Sequence, residues 1–417
     1  MTAGVVGAYG RLADTVRIEG ARILATLVRT VGSLPVAEDA VQEAVLAALR
    51  DWPRTGVPTQ PRAWLTVTAR RKAIDILRRE GARAAKERDG ADLMELAEPD
   101  LPPENVVRDD QLRLIFTCCH PALAPQARVA LALRTLCGLS TAQIAAVLLT
   151  TEPAMAKRLT RTRQKITAAR IPYRMPSGAE LPDRLAAVCG VVHALYTTGH
   201  APLSGEAALD VDACAEALRL GRLLHDLLPD EPMPAAVLAL LLLTEARRPA
   251  RVDEAGEVVP LADQDRSRWD AALIAEGGAL LQESLRRTGG VADPYQLQAA
   301  IAAEHASAAG YPQTDWAEIA RLYDLLMSVA PSPAAALSRA VAVAEASGAA
   351  AGLAALEAVP PGPRWYAVRA ELLAREGRYA QAVEAITASL AGDLTAPERR
   401  HREQRRASWA NGDAARG

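Results

Sequence analysis

Apolar positions recur at helical spacing along most of the chain. Ile23, Leu24, Leu27, Val28 and Val31 fall on one helical stripe, and Pro35 ends it. Val36 to Leu49 predicts a second amphipathic helix, with Val41, Val45, Leu46 and Leu49 as its apolar face. Pro53, Gly56, Pro58 and Pro61 make Trp52–Pro61 a loop. The helical period resumes from Arg62 to Glu80. Residues 81–107 are polar, with prolines near the end, and read as a flexible linker. A second unit spans 108–175, closed by the boundary "IPYRMPSG" at Ile171–Gly178.

Residues 176–417 read as a long helical part punctuated by prolines. "AAVLALLLL" at Ala235–Leu243 is too short to cross a bilayer and predicts a buried helix. Arg247–Asp270 is highly charged and predicts a long loop. Two helical hairpins follow, Ala334–Val359 around Gly348 and Trp365–Leu390 around Gly377. The second resembles a tetratricopeptide (TPR) hairpin at Tyr379, Ala382 and Ile386, with Ser389 where Ala is usual. The predicted fold class is all-α: two small helical modules joined by a linker, then a C-terminal TPR-like helical domain.

Composition supports this. Ala and Leu dominate, aromatics are 4%, and runs rich in Val, Ile and Thr are missing. The N-terminus lacks the basic start and apolar block of a signal peptide. Five unevenly spaced cysteines fit a reducing, cytoplasmic setting better than a disulfide framework.

Charge is where the sequence becomes specific. The formal net charge is −2, yet Glu152–Arg170 carries six basic residues, Lys157, Arg158, Arg161, Arg163, Lys165 and Arg170, against one acid. Ser140 and Gln143 form a capping box that starts a helix before it. Thr151 caps the basic helix, and Pro153 fits its first turn. Two helices joined by so short a turn make a helix-turn-helix, although Leu149 occupies the turn position where Gly is common. Arg62–Glu80 is also basic, with Arg62, Arg70, Arg71, Lys72, Arg78 and Arg79 against Asp75 and Glu80, and includes Trp64. Cations with an aromatic can track a nucleic-acid backbone and stack on unpaired bases. The preceding helix is acidic, through Glu38, Asp39 and Glu43 beside Gln42, which suits a protein partner.

At these residues a family resemblance appears. "AEDAVQEAVLAAL" followed by "AWLTVTARRKAIDILRR" resembles region two of bacterial sigma-70-family factors of the extracytoplasmic-function (ECF) type, and "LSTAQIAAVLL…AKRLTRTRQKI" resembles their region four. The segments "TCCHPALAP", "DQDRSRWD" and "PYQLQAAIAA" resemble a subgroup with a large C-terminal TPR-like extension. The resemblance implies a transcription initiation factor whose partners are RNA polymerase core and promoter DNA. Asp39, Gln42 and Glu43 would contact polymerase. The Trp52–Pro61 loop would hold a flipped base of the minus-ten element. Trp64, Arg70, Arg71, Lys72, Arg78 and Arg79 would handle that element. Ala156, Lys157, Arg158 and Arg161, with Arg163 and Lys165 on the same helix, would bind the minus-thirty-five element. Arg71 stands where many relatives have Asn, so base preference is not transferable. No cofactor, metal, membrane or catalytic site is implied.

Two other readings compete. Cys118, Cys119 and His120 invite a metal or, with Cys137, a thiol-sensing role, but they lack the separated pairs of a zinc site. His193, His200 and His225 are scattered. Alternatively, the C-terminal helices form an interaction scaffold to which DNA binding is secondary. That domain would regulate by docking or by taking a regulatory protein or ligand, with Arg266 and Trp269 as the candidate interdomain contact.

Overall fold

The computed structural model describes residues 3–85, 104–148, 150–169, 171–202, 205–289, 292–392 and 394–414. The chain divides into two compact units, Met1–Val191 and Val192–Gly417. Within the described residues all regular structure is helical, with two isolated β-bridges.

Helix α1 (Ala3–Val31) organises the first unit. Leu12, Leu24, Ala25, Leu27 and Val28 are buried along it. The helix ends at Gly32, whose φ of 74° favours a residue without Cβ. The chain turns there and not at Pro35. Ser33 caps α2 (Leu34–Thr55) by accepting the Val36 N–H, and Pro35 sits in the first turn, where no N–H is needed. Pro53 is likewise carried inside the last turn of α2, and Gly56 (φ 85°) ends it by donating to the Trp52 carbonyl. The expected loop therefore shrinks to residues 56–60, before α3 (Pro61–Ala85).

The buried face of α2 also differs from expectation. Ala37, Ala40, Ala44, Ala47 and Ala48 face the core, whereas Leu46 is 57% and Leu49 38% exposed. Small side chains let α2 lie close against α1 and α3, both of which it packs on. Leucines at that face would hold the helices apart.

Helices α4 (Glu104–Cys118), α5 (Pro125–Thr135), α6 (Thr141–Val147) and α7 (Glu152–Ala168) build the second module. Leu114, Phe116, Leu131, Leu133, Ile144, Met155, Leu159 and Ile166 form its core. Helix α1 packs on α4 as well as on α2 and α3, so one helix is a wall of both modules. Most of the expected linker, and the Leu149 and Arg170 positions, lie outside the described residues.

Helix α8 (Leu181–His200) begins in the first unit and ends in the second. In the second unit α9 (Val211–Leu227), α11 (Ala271–Arg287) and α12 (Pro294–Ser307) surround α10 (Pro232–Glu245). Residues Pro234–Leu243 of α10 are all buried, so the leucine-rich run is a core helix of the unit. Helix α13 (Trp316–Val329) leads into the two expected hairpins, α14 (Pro333–Ser347) with α15 (Ala349–Leu356) and α16 (Pro363–Arg375) with α17 (Tyr379–Ser389), and then α18 (Ala396–Ala414). Gly348 and Gly377 make the turns with φ of 94° and 73°. Ser389 is buried and donates to the Ile386 carbonyl at 2.6 Å, which satisfies its hydroxyl where an Ala would need nothing.

The first hairpin depends on Gly352. A Cβ there would lie 2.4 Å from the Ala344 Cβ and 3.1 Å from the Ala340 carbonyl oxygen. Gly352→Ala should therefore push α14 and α15 apart. The gain in helix propensity is about 1 kcal/mol, and overpacking costs about 1–3 kcal/mol. A net destabilisation is expected as a lower thermal midpoint by circular dichroism; an unchanged or raised midpoint contradicts the packing.

Candidate nucleic-acid interface

The helix-turn-helix forms as its caps dictate. The Ser140 N–H donates to Gln143 Oε1 at 2.9 Å, and the Gln143 N–H returns to Ser140 Oγ at 3.2 Å. Thr151 Oγ1 accepts the Ala154 N–H at 3.4 Å, with Pro153 in the first turn of α7. Met155, Leu159, Thr162 and Ile166 bury one stripe of α7. The opposite face presents Ala156, Lys157, Arg161 and Lys165 to solvent, with Arg158 at its margin. A helix of this shape and charge fits the major groove, where Arg and Lys meet phosphates and guanine edges.

The first module offers two faces. Asp39 and Gln42 are exposed and Glu43 half-buried on α2. Leu46 and Leu49 continue that stripe, so that Gln42, Glu43, Leu46 and Leu49 lie three, four, seven and ten residues on from Asp39. Hydrophobicity alone places these leucines in the core. The spacing could have shown them beside the acids, because 39, 42, 43 and 46 fall on one side of a helix. On α3, Arg71, Arg78 and Arg79 are exposed and Arg70 and Lys72 half-buried. Lys72 Nζ and Arg79 Nη2 lie 3.5 and 3.7 Å from the Glu43 carboxylate, so cations of α3 neutralise one acid of α2. Such solvent-exposed pairs are worth about 0–1 kcal/mol each and exchange readily for a new partner. Trp64 is half-buried, its ring 5.6 Å from that of buried Trp52 and edge-on to it. This bracing fixes an aromatic side chain beside the 56–60 turn.

Arg163 stands apart from the other cations of α7. Its Nε lies 2.6 Å from Oε2 of Glu38 on α2, and that carboxylate is only 4% exposed. The N–H does not point along the contact, so neither group gains a well-aligned hydrogen bond. Burial pushes the Glu38 carboxyl above its usual range, and the opposing pull of Arg163 and nearby Arg134 does not cancel it. Two further contacts join the modules. Asp110 on α4, fully buried, accepts from Arg29 Nε on α1 at 2.7 Å and from Arg113 Nη1 at 3.1 Å. The Tyr173 hydroxyl lies 2.8 Å from the Ala25 carbonyl oxygen and 2.9 Å from that of Asp110, with one proton for both. None of these partners is within 60 positions of the other module's residue, and no local pattern announced them.

Arg266 and Trp269 make their contacts inside the second unit. Arg266 Nη1 donates to the His305 and Ala308 carbonyls at 2.6 and 2.7 Å, and Nη2 to Thr314 Oγ1 at 2.9 Å. Trp269 is buried. The expected charged loop contains short 3-10 turns, in which Asp265 caps a turn and Asp270 caps α11. His193, His200 and His225 converge on no common site. His120 is partly exposed, and among the described residues no cluster of metal-binding side chains forms. All five cysteines are buried and unbridged. Burial drives the Cys118 thiol well above its ordinary range and Cys119 up to about 12. Thiolate formation is thereby suppressed.

Comparison with known proteins follows the same division. The family model described as sigma-70 region 2 matches residues 16–83, and sigma-70, region 4, matches 113–166. A family of unknown function, DUF6596, matches 184–285. An uncharacterized protein of Rhizobium meliloti (strain 1021) is 40% identical over 402 residues, 90% of each chain. The protein described as probable ECF RNA polymerase sigma factor SigI of Mycobacterium tuberculosis (strain ATCC 25618 / H37Rv) is 31% identical over 147 residues, 34% of this chain and 50% of that one. No solved structure matches.

Two outcomes are expected from this geometry. In the native chain dithiobis(nitrobenzoate) should label none of the five cysteines within minutes, and all five in urea; native labelling of Cys118, Cys119 or Cys137 would restore a thiol-sensing role. Arg163→Met leaves Glu38 buried without its nearest cation and should cost about 3 kcal/mol at neutral pH. Because burial holds the Glu38 pKa above the ordinary 4.5, protonating it removes the penalty. The loss should shrink as pH falls toward 4.5 and grow as pH rises through the folded-state value. A deficit independent of pH in urea titrations would show that the pair is not the cause. With region 2 and region 4 both matched in order, the chain belongs to the sigma-70 family of ECF type and carries a DUF6596 extension.

Proposed function

We propose that this chain binds core RNA polymerase and directs it to specific promoters, contributes to promoter melting, and is regulated by its C-terminal helices. The observation that carries the reading is the order of faces. An exposed stripe of Asp39, Gln42, Leu46 and Leu49, with half-buried Glu43 among them, is followed by basic α3 with its braced Trp64, and then by the solvent-facing basic stripe of α7. Functional segments are 1–80 for polymerase and the minus-ten element, 81–107 as linker, 108–175 for the minus-thirty-five element, and 176–417 for regulation.

The acids of α2 meet basic polymerase surface, and Leu46 adds apolar area at the centre of the contact. On α3, Arg70, Arg71, Lys72, Arg78 and Arg79 hold the backbone of the minus-ten element. Trp64 offers a ring to an unstacked base, offsetting the few kcal/mol that extrusion costs. Ala156, Lys157, Arg158, Arg161 and Lys165 face the minus-thirty-five groove. Polymerase supplies the chemistry, so the chain works as a cytoplasmic factor with no catalytic group of its own. Among the described residues no helix is long and apolar enough to cross a membrane. Promoter engagement at two separated elements requires the modules to part. Arg163 then leaves Glu38 and becomes available, with Lys165, to phosphate.

Binding and run-off transcription with purified core polymerase test this. Asp39→Arg with Leu46→Ala should weaken core binding at least tenfold while leaving the fold intact, since both side chains are exposed. Lys157→Ala with Arg161→Ala should leave core binding unchanged, weaken promoter binding, and reduce the salt slope of log K by about 2, near 0.9 per lost phosphate contact. Failure of the wild-type chain to bind core, or to stimulate initiation on any promoter from a genomic library, would end the reading.

A further inference from the structure

The second unit holds a group of guanidinium ions short of hydrogen-bonded counter-charge, where Glu245 acts on Arg251 without a hydrogen bond to it. Arg251 and Arg266 both lie near Arg247, Arg266 on the same Trp269 ring and Arg251 beside Tyr196 and His200. Arg251 Nη1 donates to His200 Nδ1 at 2.7 Å and to the His200 carbonyl at 2.8 Å. Arg266 donates to two carbonyls and a threonine hydroxyl. Neither is hydrogen-bonded to a carboxylate. The nearby acid, Glu245, is taken by Arg248 and by the Tyr196 hydroxyl at 3.1 Å.

Arg247 differs from both. Its guanidinium carbon lies 5.3 Å from the centre of the Trp269 ring, with that of Arg266 4.7 Å from the same ring. Among the described residues its side chain makes no hydrogen bond and no ion pair. Nε is enclosed and unpartnered, as are Trp269 Nε1 and His305 Nδ1. Its strongest electrostatic neighbours are Arg251 and Arg266, which repel it, and the hydroxyls of Tyr196 and Tyr323. Local histidines feel the same field. Burial, with Arg251 and Arg247 beside it, pushes His200 down to about 2, and burial with Arg247 and Arg266 pushes His305 down to about 4. A partly buried guanidinium with an idle planar fork, in surplus positive potential, has one chemical complement: an oxyanion able to accept two parallel N–H bonds.

We propose that Arg247, walled by Trp269 and backed by Arg251 and Arg266, is a binding site for the carboxylate or phosphate group of a small anionic ligand. Arg247 supplies the fork. Arg266 is a positioning residue, since its Nη donors are already committed to the His305 and Ala308 carbonyls and the Thr314 hydroxyl, and its Nε is enclosed. The site lies wholly within the second unit and stands whether or not the chain directs polymerase.

The test uses the full-length protein with inorganic phosphate and succinate as probes and sodium chloride at matched ionic strength as the control. Thermal midpoints and isothermal titration are read for the wild type, Arg247→Met, Arg247→Lys and, on the exposed face of α13, Arg321→Met. One of the two oxyanions should raise the wild-type midpoint saturably by several degrees beyond chloride. Response to phosphate alone assigns a phosphorylated ligand, and response to succinate alone a carboxylate. Arg247→Met should lower that affinity at least tenfold. Arg247→Lys, which keeps the charge and loses the fork, should lower it several-fold, and serves if the Met variant is poorly folded. Arg321→Met should respond as wild type. The proposal is overturned if neither anion acts beyond chloride on the wild type, or if the Arg247 variants respond as strongly as it does.

Discussion

The first unit turns on carboxylates placed where water is scarce. Glu38 and Asp110 each sit against the opposite module, and each costs several kcal/mol of desolvation unless a cation answers it. Asp110 is answered well, by two guanidiniums with directed hydrogen bonds. Glu38 is answered by proximity alone, since the 2.6 Å contact with Arg163 lacks alignment. The two clips are therefore unequal. The Arg29–Asp110 clip ties α4 to the shared wall α1, whereas the Glu38–Arg163 clip ties the basic helix α7 to α2. A charged clip also differs from an apolar one in how it opens. Separated carboxylate and guanidinium both regain hydration, while separated leucines expose surface that water disfavours. The weaker clip holds the helix that, on the proposed reading, has to travel to DNA.

The same polar logic accounts for which parts of the fold were legible in the sequence. Helix α7 was readable because everything that defines it is local: Thr151, Pro153, the Met155–Leu159–Ile166 stripe and the cations opposite. The capping box of α6 was readable for the same reason. The role of Arg163 was not, because its partner is 125 positions away and a cation of an exposed run looks like its neighbours. On α2 the error was one of size. Hydrophobicity ranks Leu above Ala, so Leu46 and Leu49 were placed inside, yet the close approach of three helices selects the alanines. Pro35 and Pro53 misled in a related way. Pro35 lies in a first turn, where no N–H is needed, Pro53 is carried inside the last turn of α2, and Gly32 and Gly56, with φ near 80°, mark the true ends.

In the second unit the "DQDRSRWD" segment shows how far a motif can be read without its surroundings. Asp265 and Asp270 could be recognised as caps, because each is followed two or three residues on by the N–H it accepts. The buried Trp269 ring packs against Arg247 as well as Arg266, and Arg247 lies outside the motif. An exposed loop and a buried clasp were equally compatible with the string of charges.

Trp269 also decides how the two arginines beside it should be understood. Cation–π attraction is worth about 0.5–2 kcal/mol for a single guanidinium on an indole. A second cation on the same ring gains less, because it meets the first. Arg266 tolerates this, since three directed oxygen acceptors surround its head. Arg247 has no such acceptors, and the indole by itself does not replace the hydration that a partly buried guanidinium gives up. Stability alone would favour an uncharged side chain of similar volume there, packed on the ring with nothing left unsatisfied. A residue that costs stability where a methionine would fit is the kind of position where a local rule is broken in favour of a site. The oxyanion that would satisfy Arg247 is the missing acceptor of that hydrogen-bond count.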